Sequence, residues 1–231
     1  MRRYTFHLLI ILNLSLVFTP VSARAEAHDP SEAGVRYRQA LVLSQKENYA
    51  AALVFLKEAE GLFQKAGNAE GVYLSKATLQ VLEHEQLTAK QQAKTANVAG
   101  MNLSWLLKDF NYSGLYLVPQ IPGAQYGGVL YLMKKVRDIT QGPRRSTPVW
   151  AILDAKVIPK LQAGENFAGG TCGPKSSELD GEIAAVVMTK GHEQEEKFQA
   201  IRAAWRLNPN SRKIEDLDPT KVYCINEAAG L

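Results

Sequence analysis

The chain is predicted to be an α+β protein: an N-terminal antiparallel helical hairpin, or hairpins of repeat type, followed by a small mixed domain with an antiparallel β-sheet. Three observations carry this. Residues 31–96 are rich in Ala, Leu, Gln, Glu and Lys and contain no proline, and from residue 111 onward Gly, Pro, Val, Ile and Tyr dominate. Two cysteines, Cys172 and Cys224, fall in the second part. The first composition favours helix and the second favours strands and turns.

The chain opens with Arg2 and Arg3 ahead of an apolar run over residues 8–17, and Ser22-Ala23-Arg24-Ala25 supplies a small-x-small cleavage signal. This is the pattern of a secretory signal peptide over residues 1–25. The run falls short of the roughly 20 apolar residues that a membrane span needs, and Asn13 and Pro20 interrupt it. No cysteine follows it, which argues against a lipid anchor, and no second long apolar run appears. The expectation is an exported product, periplasmic or extracellular, with no transmembrane segment after cleavage. Loss of Arg2, Arg3 and Arg24 leaves 24 basic against 23 acidic side chains, so the formal charge falls from +4 to +1. A nearly neutral chain has no global field to steer it toward nucleic acid, so none is expected as partner.

In the domain reading, residues 26–96 form a helical module. Tyr37, Ala40, Leu41 and Ser44 recur at helical spacing, as do Ala52, Leu53, Leu56, Ala59, Leu62 and Phe63. Glu47-Asn48-Tyr49 supplies the turn between these two antiparallel helices. Gly67-Asn68 ends the second with a residue suited to the left-handed conformation, and a third helix runs through Tyr73, Ala77, Leu79 and Leu82.

Asn48-Tyr49-x-x-Ala52-Leu53-x-x-Leu56-x-x-Ala59 resembles the second helix of a tetratricopeptide repeat. Ala40 sits where the first helix of such a repeat needs a small residue, and Phe63 with Gly67-Asn68 is similar to the aromatic-then-glycine end of a repeat. The resemblance covers residues 33–83 and departs from the pattern at Glu47, where glycine is common. It implies a concave surface that binds a protein or peptide partner, with Tyr37, Leu41, Tyr49 and Tyr73 as candidates for that surface. Arrays of this kind bury their faces with about three units. Either further repeats continue through residues 87–108 or the β-rich part caps the helices.

Residues 88–99 read as an exposed helix or linker, and the mixed domain is placed at 97–231. Met101, Leu103, Trp105, Leu106, Leu107 and Phe110 form a dense apolar cluster, read as a core helix or as an anchor for a partner. Residues 112–118 are apolar and aromatic, and 129–139 read as a helix. Strands are expected at 149–158, 183–189, 201–207 and 222–226, with turns at Asn208-Pro209-Asn210-Ser211 and Asp218-Pro219-Thr220. Phe198, Ala203, Trp205 and Leu207 are expected to share one buried face.

Export makes a Cys172–Cys224 disulfide the leading reading of the cysteines. It would staple the glycine-rich loop 164–174 onto the final strand. The alternative is a thiol hydrolase built from Cys172, His192 and an acid such as Asp180, with Gly169-Gly170 in its loop. His192-Glu193-Gln194-Glu195-Glu196 lacks the second histidine that a zinc-protease helix requires. Pro174 interrupts the approach to a phosphate loop at Lys175. No cofactor and no metal are expected. Arg144 and Arg145, with Lys134, Lys135 and Arg137 upstream, form a candidate anion patch. Asn102 and Asn111 open glycosylation sequons.

Three functional readings follow. The first is a non-catalytic interaction module of the periplasm or cell exterior. The second is a C-terminal small-ligand binder or thiol hydrolase using Cys172 and His192, and the third is a cell-envelope assembly component docking through the Trp105 segment.

Overall fold

The computed structural model describes residues 29–90, 101–119, 121–140 and 146–229. The expected signal peptide, most of the 88–99 segment, and Arg144 with Arg145 lie outside the described residues. Helices α1 (Glu32–Gln45), α2 (Tyr49–Lys65) and α3 (Ala69–Ala89) come first. An antiparallel sheet follows, in the order β1 (Met101–Leu106), β2 (Tyr112–Leu117), β3 (Tyr126–Thr140), β4 (Ser146–Pro159). A second antiparallel sheet has the order β10 (Lys213–Leu217), β9 (Ile201–Asn208), β7 (Ile183–Met188), β5 (Glu165–Gly169). A small third sheet sets β11 (Val222–Ile225) between β6 (Cys172–Pro174) and β8 (Lys197–Phe198). The chain is therefore α+β, with antiparallel sheets after three helices.

Local chemistry ends each helix where the sequence suggests. Asn48 and Asn68 cap α2 and α3 by accepting the amides of Ala51 and Gly71. Gly67 takes φ +68° and turns the chain out of α2. Glu47 also takes a positive φ, +54°, at the position where repeats favour glycine. Its carboxylate pairs with Arg137 of β3 at 2.9 Å, which ties the strained turn to the sheet.

The helices do not keep a core of their own. Tyr37, Leu56, Phe63, Leu74 and Leu82 share one continuous cluster with Leu115, Leu117, Val129, Tyr131, Ile152 and Val157 of the first sheet. Helices α1 and α3 lie on β4, and α2 packs outside against both. The opposite face of that sheet meets the second sheet through Tyr116, Leu130, Leu132, Ile158, Val186, Trp205 and Leu207. Ile183, Ala185 and Val187 point the other way, toward Cys172, Phe198 and Cys224. The layers run helices, sheet, sheet, small sheet, with side chains alternating between them.

This layering corrects three expectations. Residues 129–139 lie in β3, not in a helix. Over residues 129–133 the strand is covered by helices on one face and a sheet on the other, so that part reads as a continuous apolar run without period-two alternation. In the apolar cluster, buried Leu107 follows β1 and Phe110 is exposed, while Met101, Leu103, Trp105 and Leu106 lie in β1 and not in a core helix. Nor does Phe198 share a face with Trp205 and Leu207, because it packs in the small third sheet.

Trp105 closes one end of the sandwich, where β1 nears β5. Its indole N–H donates to the Gly181 carbonyl at 2.9 Å. A Cβ on Gly169 would lie 2.6 Å from the ring. Gly169→Ala is expected to lower stability by about 2 kcal/mol through overpacking. Urea unfolding checks this, and Trp105→Leu in the same chain should remove most of the penalty. Equal penalties with and without the indole would refute the contact as its cause.

Candidate functional site

The surface proposed from the helical pattern is occupied by the protein itself. Tyr37, Leu41, Tyr49 and Tyr73 are 1%, 4%, 4% and 3% exposed, so none is open to a partner. The physical reason is that β3 and β4 lie across α1 and α3. Thr78 of α3 donates its single hydroxyl proton to the Leu74 carbonyl. Its oxygen then accepts from Tyr37 of α1 at 2.8 Å and from Tyr131 of β3 at 3.3 Å. Burial holds both phenols well above their ordinary range.

The thiol reading also fails. Cys172 and Cys224 face each other across β6 and β11 as a disulfide, both fully buried. There is no thiolate to act as nucleophile. His192 sits on a surface turn and pairs with Glu195 at 2.8 Å. Asp180 is engaged by Arg206 at 2.7 Å. Gly169 and Gly170 make room for the Trp105 ring instead of shaping a catalytic loop.

The candidate site lies at another corner. A groove of about 480 Å³ opens where the first turn of α3, the start of β3, the end of β4 and strands β9 and β10 converge. Its apolar surface includes Tyr126, Val157, Ala203, Trp205 and Leu217, with Pro159 and Pro219 at the sides. Tyr73, expected at a partner surface, instead supports Tyr126 from beneath, with ring centroids 5.0 Å apart. Burial, and then the charge of Glu70, push the Tyr126 hydroxyl above its usual range.

Charges of both signs rim the groove. Lys156 of β4 pairs with Asp216 of β10 at 2.8 Å and so bridges the two large sheets. Arg202 of β9 makes a two-pronged contact with Glu165, at 2.6 and 2.8 Å, and donates to the Lys160 carbonyl at 3.1 Å. The Arg202 hydrogen bonds hold the Glu165 carboxyl below its ordinary range. This clamp braces the turn after β4, so exposed Lys160 is mounted on an anchored backbone. Lys160 also borders a shallow depression of about 470 Å³ over Tyr116 and Phe167, whose rings stack at 4.0 Å.

No sequence motif announces this groove. Its residues come from separated segments between Glu70 and Pro219, and only the layering brings them together. The one local signal was the aromatic and proline content after residue 111. Among the described residues no group of three or more His, Cys, Asp or Glu could hold a metal ion, and no helix is long and apolar enough to cross a membrane. Comparison of the chain with protein-family models, curated proteins and solved structures finds no match.

Proposed function

We propose that this is an exported, non-catalytic interaction protein that receives a peptide segment of a partner protein in the groove between α3, β4 and β9–β10. The observation that carries the reading is the groove lining: an apolar floor around Tyr126 and Leu217, rimmed by Lys156, Lys160, Arg202, Glu70 and Asp216. Such a surface suits a segment of mixed apolar and charged side chains better than a ligand of one sign. Its side chains offer contact and orientation. Among the described residues no cysteine, histidine, serine or threonine lines it. Export is supported by the leader pattern of residues 1–25 and by the buried disulfide. The tetratricopeptide-like hairpin serves, in this reading, as the platform that buttresses the first sheet and Tyr126.

The test is site-specific photocrosslinking in the producing cell. A crosslinker at position 160 is expected to give a discrete protein adduct, whereas one at Val54, exposed on the outer helix α2, gives none. Tyr126→Ala should weaken the interaction by about 2 kcal/mol, as for a central aromatic anchor. Adducts from position 54 with none from position 160 would sink the proposal.

A further inference from the structure

A separate hollow of about 230 Å³ lies on the other flank of the sheet, where β3, β4 and the β9–β10 turn meet the end of α1. Lys134, Lys135 and Arg212 line it, with Gln45, Ala151 and Leu153, and among the described residues no carboxylate does. The β3–β4 register slips directly after Lys135, between Lys135 and Arg137, so the hollow borders an irregular stretch of the strand. The third cation comes from 77 positions further along the chain, on a turn held by Asn208, which accepts the amides of Asn210 and Ser211.

The charge arrangement is unbalanced. Lys135 shares its charge with Asp138 at 3.2 Å. Among the described residues neither Lys134 nor Arg212 forms an ion pair. The nearby acid of β10, Glu215, is bonded by Asn208 and Ser211. Arg212 holds φ +57°, a conformation that non-glycine residues seldom adopt. Glu47, which also takes a positive φ, is tied down by Arg137, and among the described residues Arg212 has no corresponding ion pair. Converging like charges and a strained backbone both raise the energy of the free protein. An oxyanion seated among the three cations would offset the repulsion and engage the guanidinium fork.

We infer that the hollow formed by Lys134, Lys135 and Arg212 is a binding site for a tetrahedral oxyanion, a phosphate or sulfate group. It stands independently of the peptide groove. It draws Lys134 and Lys135 from the basic cluster read in the sequence, whose Arg144 and Arg145 lie outside the described residues.

The experiment titrates the mature protein at low salt and neutral pH with inorganic phosphate, sulfate and tripolyphosphate, read by calorimetry and amide chemical shifts. The expected result is saturable one-to-one binding, with shifts centred on Lys134, Lys135, Ala151 and Arg212. Lys134→Gln and Arg212→Gln should each weaken it about tenfold, the loss of one charge-assisted contact, while Lys76→Gln on α3 leaves it unchanged. Binding of the free ions identifies a small-anion site. Binding of tripolyphosphate alone, with the same variant dependence, identifies a group carried on a larger molecule. Shifts spread over all surface lysines, or equal losses in Lys76→Gln, would overturn the inference, as would the absence of saturable binding of any of the three.

Discussion

Replacing Cys172 and Cys224 together by alanine is expected to lower the unfolding free energy by about 4 kcal/mol on the chain-entropy model. The bridge closes a loop with a sequence separation of 52 and joins β6 to β11 in the small third sheet. Its main action is on the unfolded chain, which gains freedom when the loop is opened. Urea unfolding should therefore show a larger dependence on denaturant as well as a lower midpoint, because the uncross-linked chain exposes more surface. A melting temperature lower by about 12 °C is the matching thermal result, at roughly 3 °C per kcal/mol for a chain of this size. A loss below 1 kcal/mol would show that the unfolded chain keeps the loop nearly closed without the bridge, through residual structure.

Glu85→Gln is expected to stabilise the protein at pH 8 by about 3 kcal/mol while changing little at pH 4.5. Glu85 lies on α3 and is 5% exposed beneath the first sheet. Its carboxylate accepts the Trp150 amide of β4 at 2.9 Å. Burial pushes its pKa up to about 7 from an ordinary 4.5, and the Trp150 amide pulls only partly against that. A raised pKa means that the folded protein holds a proton that the unfolded chain has released. The associated stability is fully present below pH 4.5 and is lost as pH rises through about 7. Glutamine keeps an oxygen for the Trp150 amide and carries no charge. The measurement is unfolding free energy of both forms from pH 4.5 to 8, where their difference isolates Glu85 from every other titrating group. A constant difference across that range would exclude an ionising Glu85. Glu165, pulled the other way by Arg202, acts on the acid side, where its contribution is lost as pH falls through its lowered pKa.

The groove and the anionic hollow share a physical origin. Both lie where β4 of the first sheet meets the β9–β10 unit, one against residues 156–159 of β4 and the other against Ala151 and Leu153. The interior between them is sealed by Asp154, whose buried carboxylate accepts the Ile214 amide of β10 at 2.7 Å. An otherwise unpaired strand amide is thereby satisfied inside the protein.

The sequence by itself determined the α+β order, the three helices with turns at Glu47-Asn48-Tyr49 and Gly67-Asn68, and the strands at β4, β7, β9 and β11. These are local matters: capping, turn chemistry and side-chain periodicity act over a few residues, and short-range energetics decides them. It also indicated the Cys172–Cys224 bridge, since two cysteines leave a single intramolecular pairing. Only the tertiary structure decided that β3 is a strand, because burial of residues 129–133 on both faces erases the alternation that marks one. It decided that Tyr37, Leu41, Tyr49 and Tyr73 are core, since nothing local says which element will cover an amphipathic helix face. It placed Lys134, Lys135 and Arg212 around one hollow, and Tyr126, Lys160 and Arg202 around one groove. Those sites rest on contacts between residues far apart in the chain, and such contacts are set by how the layers stack.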